Sequence, residues 1–352
     1  VIHIGQTQAL VKAGLIETDA VADIEKVTQK FSVAISSQVV AAIKSGSEEE
    51  ATILKKQFLP SLEELIENPL ELVDPISDKP HEVVKGVIHR YPDRCLLMPI
   101  QSCPVYCRFC FRRENVGKKK EALTETELTT AFSYINAHPE IWEVILSGGD
   151  PLILKPKTLR EILLQLEKIP HVEVVRIHTR VPIVDSVRVT AELIQTLKIK
   201  KAVYVIIHVN HSTELSEMVV QACARLIDAG IPLLSQTVLL KGINDTVDTM
   251  GKLMRSLVKN RIKPYYVHHG DLARGTSHFR TTVATGKALM KALRGHYSGL
   301  CQPTYVLDIP GGHGKAPIEN DDYCVEKKSV DTEDTCYSIE DYQGKVHEYR
   351  EC

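Results

Sequence analysis

No apolar run in this sequence reaches the roughly 18 residues that a membrane-spanning helix needs. No signal-peptide pattern stands at its amino end either, so the expectation is a soluble, cytoplasmic protein with no membrane partner. An excess of one charge is also missing. Lys and Arg number 43 against 45 Asp and Glu, a formal net charge of −2. That balance gives no reason to expect nucleic acid as a bulk partner, and Lys118-Lys119-Lys120 reads as a solvated loop. Even pairing of cysteine is lacking too. The nine cysteines, at 95, 103, 107, 110, 223, 301, 324, 336 and 352, fit a reducing compartment better than a disulfide scaffold. Neither an internal repeat nor a low-complexity tract is present. What remains is ordinary for a globular enzyme, with 43% hydrophobic and 25% charged residues. The length of 352 residues suits one barrel-type domain with extensions.

Three regions follow from patterning. Residues 1–84 carry helix-like apolar spacing at 9–14, 20–31 and 47–57, then prolines at 60, 69, 75 and 80, and read as a helical N-terminal extension. Over 85–293, short apolar strands at 95–100, 143–146, 172–178, 203–208, 232–239 and 264–268 alternate with helical stretches. Those helices fall at 125–137, 158–168, 191–197, 214–229, 247–260 and 283–293. Six β-then-α units in succession imply an α/β fold with a parallel sheet and right-handed crossovers. Periodicity leaves open whether that sheet is doubly wound or curls into a barrel. In both, chemistry collects in the loops after the strands' C-terminal ends. Residues 294–352 form a C-terminal segment: one more apolar stretch at 304–307, a glycine-rich loop, and a polar end.

The richest loop follows the first of those strands: Cys103-Pro-Val-Tyr-Cys107-Arg-Phe-Cys110. Three thiolates at C-x3-C-x2-C spacing can wrap one face of a four-iron, four-sulfur cluster and leave its fourth iron open to a small molecule. Zinc usually takes four ligands in C-x2-C pairs, and no partner pair lies nearby. Ser147-Gly148-Gly149-Asp150 follows the next strand, where two glycines let the backbone approach a ligand closely. Farther on, Pro310-Gly311-Gly312-His313-Gly314-Lys315 is no phosphate loop, because Ala316 stands where Ser or Thr is needed. A lysine on a glycine-rich loop suits reversible imine formation with an aldehyde cofactor such as pyridoxal phosphate. Arg90 and Arg94, around a proline turn, can clamp a phosphate. Arg112 is placed to meet a carboxylate. Asp271 and Asp308, past two strand ends, would together select a distal cation. These residues describe a pocket for a basic α-amino acid.

The blocks HRYPDR, CPVYCRFCFRR, LSGGDPL, SQTVLLKGIND, HFRT and LRGHYSGLCQPTYVLDIPGGHGK, in order from His89 to Pro317, resemble the lysine 2,3-aminomutase family of radical SAM, pyridoxal phosphate-dependent enzymes. The resemblance implies a partial (β/α)6 TIM-like barrel, which decides the question of sheet form. It implies a 4Fe-4S cluster on Cys103, Cys107 and Cys110, and pyridoxal 5′-phosphate on Lys315 with its phosphate on Arg90 and Arg94. S-adenosyl-L-methionine would lie along Ser147, Gly148, Gly149, Asp150, His208 and Gln236. Substrate lysine would sit between Arg112 and the pair Asp271 and Asp308. The implied reaction interconverts α-lysine and β-lysine through a 5′-deoxyadenosyl radical, fed by a reducing electron donor. Two alternatives accompany it: an elongation factor P-associated form giving (R)-β-lysine, and an aminomutase for another amino acid. Departures from the family stand at Phe109, where a polar residue is common, and at His313, where glycine is usual. Cys324, Cys336 and Cys352 are too widely spaced for the family's C-terminal zinc site, so a homo-oligomer would form without it.

Overall fold

The computed structural model describes residues 7–117, 122–327 and 335–351; Lys118-Lys119-Lys120 and Cys352 lie outside them. Helices α1 (Thr7–Lys12), α2 (Val21–Lys30), α3 (Ser37–Ser45) and α4 (Glu48–Phe58) come first. A ten-stranded sheet follows, its strands in spatial order of sequence. They are β1 (Glu82–Val84), β2 (Val87–Tyr91), β3 (Arg94–Ile100), β4 (Glu143–Gly148), β5 (Val174–Thr179), β6 (Ala202–His208), β7 (Leu233–Val238), β8 (Lys263–His268), β9 (Thr304–Asp308) and β10 (Lys315–Pro317). Neighbours from β3 to β9 pair parallel, while β1, β2 and β10 add antiparallel margins. Among the described residues β10 does not close onto β1, which makes the fold a partial barrel.

The crossovers carry α5 (Glu125–Ala137), α6 (Pro156–Glu167), α7 (Val181–Val184), α8 (Ala191–Leu197), α9 (Glu217–Asp228), α10 (Val247–Lys259) and α11 (Val283–Leu293). Local chemistry starts them: Thr124, Thr190, Thr246 and Thr282 each accept a backbone N–H at the N-terminus of the next helix, a cap commonly worth about 1 kcal/mol. Met250, Leu253, Met254 and Leu257 bury one face of α10, at the spacing that puts them side by side on a helix. Along β3 the alternation is period two, with Cys95 and Leu97 buried.

Besides α3, α7 and the marginal strands β1, β2 and β10, which apolar spacing did not single out, two larger features differ from the sequence reading. The segment 304–307 becomes β9, a seventh parallel strand hydrogen-bonded to β8. The polar end folds into a three-stranded antiparallel sheet, β11 (Cys324–Lys327), β12 (Cys336–Glu340) and β13 (Val346–Arg350). Cys324, Tyr337, Ile339 and Tyr349 are its buried residues, a pattern too sparse to stand out among charges.

The N-terminal helices reach the cysteine loop directly. Glu64, fully buried, accepts from Arg108 Nε at 2.9 Å and pairs also with Arg113. Gln57 Oε1 accepts from Arg180 Nη2 at 2.9 Å and from Asn210 at 3.0 Å.

Candidate active site

At the C-terminal ends of the parallel strands lies a cavity of about 620 Å³. The loop after β3 forms one wall. Its cysteines are free thiols that all line the cavity. The glycines after β4 explain how the loop packs: a Cβ on Gly149 would lie 2.1 Å from the Ser102 carbonyl oxygen, and one on Gly148, at φ +103°, 2.8 Å from that of Ile100. The close approach these glycines permit is thus to the cysteine loop's own backbone, bound through Gly149 N to Ile100 O and Asp150 N to Ser102 O, both at 2.8 Å. Both carboxylate oxygens of Asp150 are taken within the protein. One accepts from Thr179 Oγ1 and Leu152 N, the other from Arg180 N and Val181 N.

Burial pushes all three thiols up, Cys110 to about 11, and at Cys103 the charge of Asp150 adds to it. Without a cation they keep their protons. Arg180 works against this at Cys107, its Nη1 lying 2.8 Å from Sγ, while its Nη2 donates to Glu214 at 2.6 Å. The three sulfurs are not drawn together as a single-ion site would need; among the described residues the group whose ligand atoms all lie within 4.8 Å of one another is elsewhere. Wider spacing suits a multi-iron cluster better than one ion. Phe109 turns its ring against His208 and Phe279, centroids 5.6 and 6.1 Å away.

Across the cavity, Lys315 Nζ lies 2.6 Å from Asp308 Oδ1, and His268 Nδ1 is 3.4 Å from Oδ2. Burial alone would push Asp308 up, but the Lys315 ammonium and His268 hold it well below the usual carboxylate range. Lys315 is held above its ordinary value, because the Asp308 carboxylate outweighs its desolvation. Asp271 goes the other way: burial, then the Asp308 charge, push it up to about 8. A third wall pairs cations with one anion. Asp78 accepts from Arg90 Nη2 at 3.0 Å and from Arg112 Nε at 2.7 Å. Arg90 also donates to the Ile76 carbonyl at 2.7 Å. Arg94 pairs with Asp93 at 2.5 Å and lies over the Tyr91 ring.

All fifteen residues singled out from the sequence (Cys103, Cys107, Cys110, Lys315, Arg90, Arg94, Ser147, Gly148, Gly149, Asp150, His208, Gln236, Arg112, Asp271 and Asp308) line this one cavity. Sequence reasoning missed Asp78, Arg180, His178 and His268. His178, His208 and His268 stand at the ends of β5, β6 and β8, and that shared position is a signal that could have found them. Desolvation holds all three imidazoles below their ordinary value, so they are neutral at neutral pH. Asp78 lay hidden between the prolines at 75 and 80, in the stretch read as the end of the helical N-terminal extension.

Residues 97–254 match the Radical SAM superfamily. An L-lysine 2,3-aminomutase of Clostridium subterminale is 43% identical over 265 residues, 75% of this chain and 64% of that protein. An L-lysine 2,3-aminomutase of Escherichia coli (strain K12) is 35% identical over 295 residues, 82% of this chain and 84% of its own length. The chain belongs to the lysine 2,3-aminomutase family. Within that family it is also similar, at 37% identity over 295 residues, to a glutamate 2,3-aminomutase of Clostridioides difficile (strain 630), covering 69% of that protein. The chain spans between 56% and 64% of the length of the first four lysine 2,3-aminomutases it matches. The radical SAM fold of the lysine 2,3-aminomutase family accords with the partial barrel described above.

Proposed function

We propose that the chain is a radical SAM, pyridoxal phosphate-dependent L-lysine 2,3-aminomutase. The observation that carries this reading is the single cavity holding three free thiols, Lys315, and an acid pair opposite arginines. The residues fit the groups the family implies. Three half-buried thiols that stay protonated without a cation suit a cationic cluster, and Arg90, whose buried Nε has no partner among the described residues, suits a phosphate. When bound, the cluster with S-adenosylmethionine supplies a radical able to take hydrogen from carbon, and pyridoxal phosphate supplies an aldehyde to hold the migrating nitrogen.

The chain's own groups do the rest. Asp308 Oδ1, 2.6 Å from Lys315 Nζ, holds the lysine as an ammonium, so Nζ must leave this carboxylate and give its proton to solvent before it can act as a nucleophile. With Lys315 moved away, Asp308 and Asp271 are left facing each other and draw in the substrate's distal ammonium; the Lys315 cation occupies that place in the free chain. Arg112, anchored on Asp78 through Nε, has only a long 3.4 Å contact from Nη1 to Ser147 Oγ on its other edge, which the substrate carboxylate would displace. A glutamate side chain in the same position would meet the Asp308 carboxylate with no cation between them, which favours lysine over glutamate. Neutral His178 and His268 keep further positive charge away from the ammonium. A reducing electron donor is the partner this chemistry requires.

Anaerobically reconstituted protein, given dithionite and S-adenosylmethionine, should convert lysine to β-lysine. Full cofactor loading with no β-lysine would sink the assignment, and conversion of glutamate instead would move it to the other substrate class. The configuration of the product separates free-lysine metabolism from elongation factor P modification. Replacing Lys315→Ala should abolish the pyridoxal absorbance band.

A further inference from the structure

Outside the cavity, one cluster of side chains has the chemistry of a site and no part in the reaction. His313 sits on the glycine-rich loop two residues before Lys315, while Asp341 and His347 flank the turn between β12 and β13. Their ligand atoms all lie within 4.8 Å of one another. Asp341 is fixed by the turn: Oδ1 accepts from the backbone N–H of Gln343 at 2.9 Å and of Lys345 at 3.0 Å. Its Oδ2 is left to His347 Nε2 at 2.6 Å. The carboxylate is nearly closed off, its side chain 4% exposed against 10% for His347. The His313 ring lies on that of His347, centroids 3.8 Å apart and planes within 21°.

We propose that His313, Asp341 and His347 bind a divalent transition-metal ion of the zinc class, fastening the lysine-bearing loop to the C-terminal hairpin. Two imidazoles and one carboxylate are the nitrogen and oxygen set that zinc takes, with bonds of about 2.0–2.2 Å and an open position left for water. Tetrahedral bonds of that length put ligand atoms about 3.3 Å apart, against the present separations of 4.8 Å or less. Binding replaces the proton shared by His347 Nε2 and Asp341 Oδ2, which goes to solvent. Two cationic rings stacked at this distance would repel; two neutral rings sharing one cation would not.

The same hairpin already touches the loop's other support. Tyr342 packs against Tyr91, centroids 5.4 Å apart, and the Tyr91 hydroxyl accepts from Lys315 N at 2.7 Å. A metal at His313 therefore fixes the loop from its far side and sets how deep Lys315 stands in the cavity. This site differs in residues from the cysteine zinc site of the family and does not depend on the aminomutase reading.

The test is anaerobic equilibrium dialysis of the full chain against Zn²⁺, with His313→Gly and His347→Gln alongside. The thiols are common to all three proteins, so only the difference counts. The wild type should retain one equivalent more per chain than either variant. With Co²⁺ as probe, the difference spectrum should have d–d bands and no sulfur charge-transfer band. Zn²⁺ should also raise the wild-type Tm more than that of His313→Gly, which alters a loop residue and leaves the hairpin whole. Equal equivalents in wild type and His313→Gly, or a difference spectrum carrying sulfur charge transfer, would overturn the proposal, leaving a hydrogen-bonded pair with a stacked ring.

Discussion

Asp78→Asn is the perturbation whose effect the structure specifies most fully. The carboxylate serves Arg90 and Arg112 together, at 3.0 and 2.7 Å, where the three side chains are 8–14% exposed. Breaking a buried ion pair costs about 3–5 kcal/mol. Asparagine keeps the shape and one acceptor oxygen, so about 2–3 kcal/mol of that is the expected loss of stability. If roughly half falls on the orientation of Arg112, about 1.4 kcal/mol, KM for lysine rises about tenfold with little change in kcat. The sign with pH is set by the same arginines. Burial would push Asp78 up, but the guanidiniums of Arg112 and Arg90 hold it below the usual carboxylate range. Its contribution is therefore complete at neutral pH and is lost as pH falls through the lowered value, so wild type and variant converge in acid. Urea unfolding at several pH values and steady-state kinetics on the reconstituted protein read both quantities. A KM that fell in the variant would refute the reasoning, because Asp78 would then compete with the substrate carboxylate rather than anchor its partner.

Three further outcomes are expected. Asp271, pushed up to about 8 by burial and by Asp308, must lose its proton to hold an ammonium, so lysine affinity should rise from pH 6 to pH 8 by at most about tenfold per unit; calorimetry on Asp271→Asn should find that rise gone. The same raised value means that stability from this group is present in acid and lost as pH climbs toward 8. Arg180→Gln, made with Glu214→Gln so that no buried carboxylate is stranded, should lower the midpoint potential of the reconstituted cluster relative to Glu214→Gln alone, since the Cys107 sulfur loses a cationic donor 2.8 Å away; an unchanged redox titration would count against that role. Gly149→Ala should cost most of the iron bound per chain, because its Cβ would meet the Ser102 carbonyl at 2.1 Å; iron content equal to wild type would show that the loop yields.

Much of the fold was legible because the parallel strands are short apolar runs between amphipathic helices with threonine caps. The helices at 125–137, 191–197 and 283–293 fall where spacing predicted them. Helix α7 was not legible, since Val181 to Val184 is apolar on every side and contains a proline. Strand β9 was seen only as an apolar stretch, because no helix follows it to complete a unit. The site residues stood out where chemistry demanded an unusual type in an unusual place: three thiols, a Gly-Gly turn, a lysine among glycines. Their partners did not. Arg180 and Glu214 are ordinary charges in sequence, and only burial beside Cys107 gives them meaning.

The grip on the cysteine loop has a consequence for the order in which the protein is made. Glu64 leaves the ribosome before the thiols and is already available when Arg108 and Arg113 arrive. Arg113 also needs the Gly275 carbonyl, which it reaches at 2.7 Å but which is synthesised 162 residues later. The nascent chain thus carries its thiols through the synthesis of those 162 residues with only the earlier half of their frame.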